Sequence, residues 1–314
     1  MVTNQYAHPW QVAIKRDMGQ LKLRIKRLAN GWKPFLDTVD RRLYTIILNA
    51  IDTKIFGISH QCGGSIISPS VVVTAAHCLF WTAPIPGLKD LYKKLPNNVR
   101  MLLNSLPVPP ILKVAFLEGG LNFPLFPEEI IVQAGILNLK TESGVSIRAE
   151  SIRTHEHYNP YMSDGGLSAE VLQYDIAILI MKDRFQFSRR IAPICLPASM
   201  STLYTGQIAT VAGWGGAHPN DNSIKSDDLK EVKMKVWATD DCSKAWKRTL
   251  NRYLVFGKSN LGFLISIYLI DLISHGRNHL CVFGNVTNEK KGMSCQGDSG
   301  GPLVLMENNR LLFD

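Results

Sequence analysis

Ser299 lies in the turn Gln296-Gly297-Asp298-Ser299-Gly300-Gly301-Pro302, a hydroxyl set among three glycines. Such a turn lets the hydroxyl stand clear of its own backbone. It also lets main-chain N–H groups point at whatever the hydroxyl attacks. The same residues would make an ordinary glycine-rich turn, so the decision rests on whether a base and an orienting acid occur elsewhere. His77 ends the run Val71-Val72-Val73-Thr74-Ala75-Ala76 beside Cys78, and Asp175 opens the apolar run from Ile176 to Ile180. Serine is a weak nucleophile until an imidazole takes its proton. The imidazole in turn needs a carboxylate to fix its tautomer and to stabilise the imidazolium. His77, Asp175 and Ser299 together could therefore carry out acyl transfer, with the N–H groups of Gly297 and Ser299 as an oxyanion hole.

These residues need strands and turns to hold them. Trp10 to Ile14 reads as a short strand. Glycine pairs and β-branched runs from Cys62 to Thr74 indicate antiparallel β structure. Strand signals continue at 130–135, 146–152, 176–180, 208–214 and 229–236. Three stretches differ in style. Residues 15–56 are basic and loosely helical, and 80–127 are proline-rich without a period, which suggests a long surface insertion or a disordered segment. Residues 250–275 contain the apolar run Leu261–Ile270, too short for a membrane-spanning helix.

The net charge is +9, and much of the excess lies between Lys15 and Arg42. No aromatic interleaving or nucleic-acid motif accompanies it, so a solvated basic face is expected rather than a nucleic-acid partner. The six cysteines include no C-x-x-C pair, which disfavours zinc and thioredoxin-like chemistry; their wide spacing suits disulfides in an oxidising compartment. An Asn285-Val286-Thr287 sequon agrees with that compartment. The first residues show no signal-peptide pattern. His155 and His157, in His-Glu-His, are expected to form a surface loop rather than a metal site. No cofactor is expected.

A G-x-S-x-G turn also occurs in the α/β-hydrolases, where the acid and the histidine follow the serine. Here 15 residues follow Ser299 and none is histidine, which excludes that arrangement. The order His, Asp, Ser in Thr74-Ala75-Ala76-His77-Cys78, Asp175-Ile176-Ala177-Ile178-Leu179 and Gly297-Asp298-Ser299-Gly300-Gly301-Pro302 resembles the chymotrypsin/trypsin family of serine proteases. Pro9-Trp10-Gln11-Val12, Cys62-Gly63-Gly64-Ser65, Pro193-Ile194-Cys195-Leu196-Pro197 and Gly213-Trp214-Gly215 resemble that family too, in its order.

The resemblance implies an all-β fold of two six-stranded antiparallel barrels with the site between them, the second barrel expected to be incomplete at the C-terminus. It implies one domain over 1–314, with insertions foreign to the family at about 15–56, 80–127 and 250–275. These are either genuine loops or untranslated sequence carried in the reading frame. It makes His77 the general base, Asp175 its orienter and Ser299 the nucleophile of a secreted endopeptidase acting on protein or peptide substrates. It implies disulfides Cys62–Cys78 and Cys242–Cys281, the first closing a loop of about 16 residues worth about 3 kcal/mol. Cys195 resembles the cysteine that tethers a propeptide or light chain. Ala209 and Leu305 stand where the family has a further bridge.

Two departures bear on competence. In the family, a new α-amino terminus pairs with the residue corresponding to Asp298, and no Ile-Val-Gly-Gly start is seen here, so a proenzyme-like oxyanion hole is expected. The residue at the base of the primary specificity pocket is Met293, which favours an apolar or blocked pocket over a basic substrate side chain. The alternative to a protease is a protease-like chain that does not cleave, either a truncated product or an interaction module.

Overall fold

Strand β1 (Gln11–Asp17) is buried along most of its length, because other elements cover both of its faces. A computed structural model describes it together with residues 2, 4, 6–10, 18–39, 44–45, 58–84, 93–94, 97, 101, 120–159, 174–196, 204–218, 221–238, 241, 281–285, 297–307 and 310–313. Helix α1 (Met18–Val39) follows β1 directly. Then come β2 (Ile58–Ser68), β3 (Val71–Thr74), β4 (Phe80–Pro84), β5 (Gly120–Pro124), β6 (Ile130–Ala134), β7 (Val145–Thr154) and β8 (Ala177–Met181). Six of these strands close a barrel in the order β1-β2-β3-β8-β7-β6, with every described pairing antiparallel. Side-chain alternation drives the closure. In β7, Ile147 and Ala149 are buried while Arg148 and Glu150 face water.

Beyond β8 lie β9 (Ile208–Gly213), β10 (Gly216–His218), β11 (Asp221–Lys225), β12 (Lys230–Trp237), β13 (Cys281–Asn285), β14 (Leu303–Glu307) and β15 (Arg310–Phe313). Among the described residues the second half is a five-stranded antiparallel sheet, β13-β12-β9-β14-β15, with β10 and β11 as a separate hairpin. β1 joins the halves through its two faces. Val12 and Ile14 belong to the barrel core, whereas Ala13 packs in a cluster with Ala212, Trp214 and Leu229. Ala209 and Leu305, the two positions the resemblance assigns to a further bridge, are fully buried in one apolar cluster with Val236 and Tyr204.

The basic stretch holds a genuine helix, which begins three residues later than its basic composition suggested. Lys15 to Asp17 complete β1 instead, because their backbones still pair with β2 and β6. Asp17 then caps the helix: its Oδ1 accepts the Gln20 N–H at 3.2 Å. Met18, Leu21, Ile25 and Ala29, spaced three and four apart, form the buried stripe of α1 on the barrel core. Arg24 pins the helix with two bonds to the buried carboxylate of Glu129, at 2.6 and 2.8 Å, and one to the Pro124 carbonyl.

The ends of 80–127 differ from the structureless reading of that stretch. Phe80–Pro84 pairs with Gly120–Pro124 in a two-stranded ribbon, and Trp81 and Phe123, opposite one another, are buried. Each strand has only five residues and ends in proline, too short for periodicity to register. The run Leu261–Ile270 lies outside the described residues.

Candidate active site

β3 delivers the chain into a single 3-10 turn, Ala76–Leu79, which carries His77. Two constraints hold that turn. Cys78 is joined to Cys62 of β2 by a disulfide. From beneath, the Arg16 guanidinium donates to the Cys78 carbonyl (3.3 Å) and the Phe80 carbonyl (2.7 Å). Arg16 is 8% exposed, and burial lowers its pKa to about 10, so it remains a cation at neutral pH.

Asp175 precedes β8 and meets His77 with both carboxylate oxygens. Oδ2 lies 2.6 Å from His77 Nδ1, and Oδ1 accepts the His77 backbone N–H at 2.7 Å. This double contact places the ring proton on Nδ1 and leaves Nε2 as the basic nitrogen. The imidazole is 44% exposed and the Asp175 side chain 17%, an arrangement open to a substrate on one side and sheltered on the acid side. Tyr158 lies near Asp175. Burial, and behind it the Asp175 charge, raise its phenol well above the usual range.

Ser299 is seated by β2. The Gly63 N–H donates to the Ser299 carbonyl at 2.9 Å, and the Thr74 hydroxyl donates to the Gly63 carbonyl at 2.9 Å. Gly300 has φ 76°, and a Cβ there would collide with Thr74 Oγ1 and come within 2.7 Å of the Ala75 nitrogen. Only glycine fits. The Cys78 sulfur lies 3.7 Å from His77 Nε2 and 3.7 Å from the Ser299 carbonyl oxygen, so the disulfide touches both residues. The Cys78 sulfur thus lies against both His77 and the Ser299 backbone, and Asp175 joins them through the His77 ring.

Asp298 turns away from that place. Its Oδ1 accepts the Gly215 N–H at 2.7 Å, and its carboxylate fills the space where a Cβ on Gly215 would stand. Beside it, His60 Nε2 lies 3.2 Å from the Gly297 carbonyl and its ring meets Trp214 edge-on. Gly297 itself has φ 104°. Met293 and Cys242 lie outside the described residues, and Cys281 opens β13. Cys195 is exposed and forms no disulfide among the described residues.

Sequence reasoning missed Arg16, His60 and Tyr158. Arg16 sits in a basic run that composition assigns to a solvated face, and nothing local marks it as buried. His155 stacks on Tyr174 at 4.6 Å between ring centroids, and His157 lies tilted against it at 5.2 Å. Among the described residues, one cysteine–histidine group converges as metal ligands might: Cys62, His77 and Cys78. Its two sulfurs are bonded to each other, so neither can act as a thiolate ligand.

Residues 46–83 and 128–312 match the family model described as Trypsin. The chain belongs to the trypsin family, a family of serine proteases. It is 26% identical over 255 residues to Limulus clotting factor C of Carcinoscorpius rotundicauda, covering 80% of this chain and 18% of that protein. It is 25% identical over 251 residues to Transmembrane protease serine 5 of Homo sapiens, covering 79% of this chain and 38% of that protein. The chain therefore spans less than two-fifths of the length of either relative. No described helix is long and apolar enough to cross a membrane.

Proposed function

We propose that this chain is a serine endopeptidase that cleaves peptide bonds through an acyl-enzyme, with His77, Asp175 and Ser299 as its catalytic residues. The observation that carries the reading is the double contact of Asp175 with the His77 ring and backbone, next to the glycine turn of Ser299. The Ser299 hydroxyl attacks the carbonyl carbon of the scissile bond as His77 Nε2 takes its proton. The developing oxyanion faces the N–H groups of Gly297 and Ser299. His77 then gives the proton to the leaving amine, and a water activated by the same nitrogen releases the acyl group. Asp175 stays ionised throughout and stabilises the imidazolium.

The placement of Asp298 favours a proenzyme resting state. Its carboxylate is committed to the Gly215 N–H, and in this family activation draws the corresponding residue to a new α-amino terminus. Activation then requires Asp298 to leave the Gly215 N–H. Met293 gives the primary pocket an apolar preference. Cys242–Cys281 forms a second bridge, Cys195 tethers an upstream propeptide or light chain, and the protein works in an extracellular or cell-surface compartment that keeps these bridges oxidised.

A fluorophosphonate probe tests the assignment. Ser299 is expected to label after exposure to an activating endopeptidase, and S299A and H77A are expected not to. A wild-type protein that stays unlabelled after such processing would make this a protease-like chain that does not cleave.

A further inference from the structure

The residue before Asp175 has an unusual backbone. Tyr174 has φ 57°, and it is the one non-glycine residue in this region among those described. For a bulky L-residue this conformation costs about 1–2 kcal/mol. The Ile176 N–H donates to the Tyr174 carbonyl at 2.8 Å, an i to i+2 bond that puts Asp175 at the apex of a three-residue turn. The next bond along, from the His155 N–H to the Ile176 carbonyl at 3.0 Å, ties the turn to the end of β7.

An exposed tyrosine, 42% accessible, has no buried pocket to hold it in so costly a conformation. Its ring is held by imidazoles instead. His155 stacks on it at 4.6 Å with an interplanar angle of 20°, and His157 lies against it at 5.2 Å and 57°. The two imidazoles belong to one short turn, closed by the Tyr158 N–H on the His155 carbonyl and by the His157 N–H on His155 Nδ1. The same turn places Tyr158 near the Asp175 charge. One turn, built from residues 155–158, thus packs against the residue that precedes Asp175.

We propose that Tyr174 is a positioning residue for Asp175, its ring clamped by His155 and His157 so that the turn presents the carboxylate to His77. The clamp acts through Asp175 alone and touches no substrate. The inference rests on the reading of Asp175 as the orienter of His77, but its test does not depend on turnover.

Two measurements on the full chain decide it. The first is the far-downfield proton resonance of the His77 Nδ1–H bond to Asp175, which is present without substrate. The second is the rate of fluorophosphonate labelling of Ser299 after exposure to an activating endopeptidase. Y174A is expected to lose or broaden the resonance and to slow labelling on the order of 10²-fold, the loss that a misplacement of about 1 Å can cause. Y174F, which keeps the ring, is expected to match wild type in both. Replacing both imidazoles by alanine is expected to act like Y174A, and replacing both by phenylalanine like wild type. A Y174A protein that folds with an unchanged resonance and an unchanged labelling rate overturns the proposal, as does a Y174F protein as impaired as Y174A. If wild type shows the resonance and Y174A loses it while Ser299 never labels, the positioning role stands and the protease reading falls.

Discussion

Asp175 binds His77 twice, through the ring nitrogen Nδ1 at 2.6 Å and through the backbone N–H at 2.7 Å. The backbone bond anchors one carboxylate oxygen whatever the ring does, so the other is always aimed at Nδ1. D175N keeps an acceptor for one of these donors but presents an amide N–H₂ to the other, which favours the wrong imidazole tautomer. Labelling of Ser299 is expected to fall steeply while the fold survives. The best-studied triad of this class loses about 10⁴-fold in kcat on the same change. The check is the labelling rate set beside an unchanged circular dichroism spectrum.

The Cys62–Cys78 bridge does more than shorten the unfolded chain. Its closed loop of 16 residues predicts a loss of about 3 kcal/mol on removal. The C62A/C78A double variant is expected to show that loss in its urea midpoint. Because the Cys78 sulfur touches both His77 and the Ser299 carbonyl, labelling at low temperature, where the variant is folded, is also expected to slow.

The Arg24–Glu129 pair docks α1 onto the barrel with Glu129 only 1% exposed. Removing Arg24 strands a buried carboxylate that still accepts the Phe126 N–H. R24A is expected to cost about 3–5 kcal/mol. A R24M/E129L double variant is expected to recover most of that, since the penalty lies in the unpaired charge. Denaturant midpoints with unchanged slopes decide between these outcomes.

Asp17 links acid stability to the start of the helix. Burial acts to raise its carboxyl pKa, but the Arg148 guanidinium and the N–H groups of Gln20 and Gly19 outweigh it and hold the pKa below the ordinary value. A carboxyl lowered in the folded state contributes stability above its unfolded pKa, near 3.9. That contribution is lost as the pH falls through the folded value. Below about pH 4 the wild-type melting temperature is therefore expected to fall more steeply than that of D17N, which keeps a capping oxygen without the charge. Melting temperatures measured across the acid range would show the two curves converging.

Much of the candidate site was legible because its chemistry is local. A glycine turn around a serine, a histidine beside a cysteine and an aspartate opening an apolar strand are each written in five to ten consecutive residues. Their chain order, histidine before aspartate before serine, is also plain in the sequence and resembles that of the chymotrypsin/trypsin family. The barrel strands were legible for a similar reason, since alternation and β-branched runs are properties of neighbours in sequence.

What the sequence could not decide depends on partners far apart in the chain. Arg16 reads as one more charge in a basic run, and only the carbonyls of Cys78 and Phe80, more than sixty residues away, make it a buried clamp. The strands at Phe80–Pro84 and Gly120–Pro124 are too short to show a period and become strands only by pairing with each other. Tyr174 carries no motif, and nothing in the sequence marks its left-handed backbone or the two imidazoles packed against its ring. By itself the sequence determined which residues could do chemistry, because residue type and local spacing set reactivity. Tertiary structure alone decided which groups hold them at hydrogen-bonding distance, because that depends on contacts between residues distant in the chain, such as His77 with Asp175, 98 positions further on.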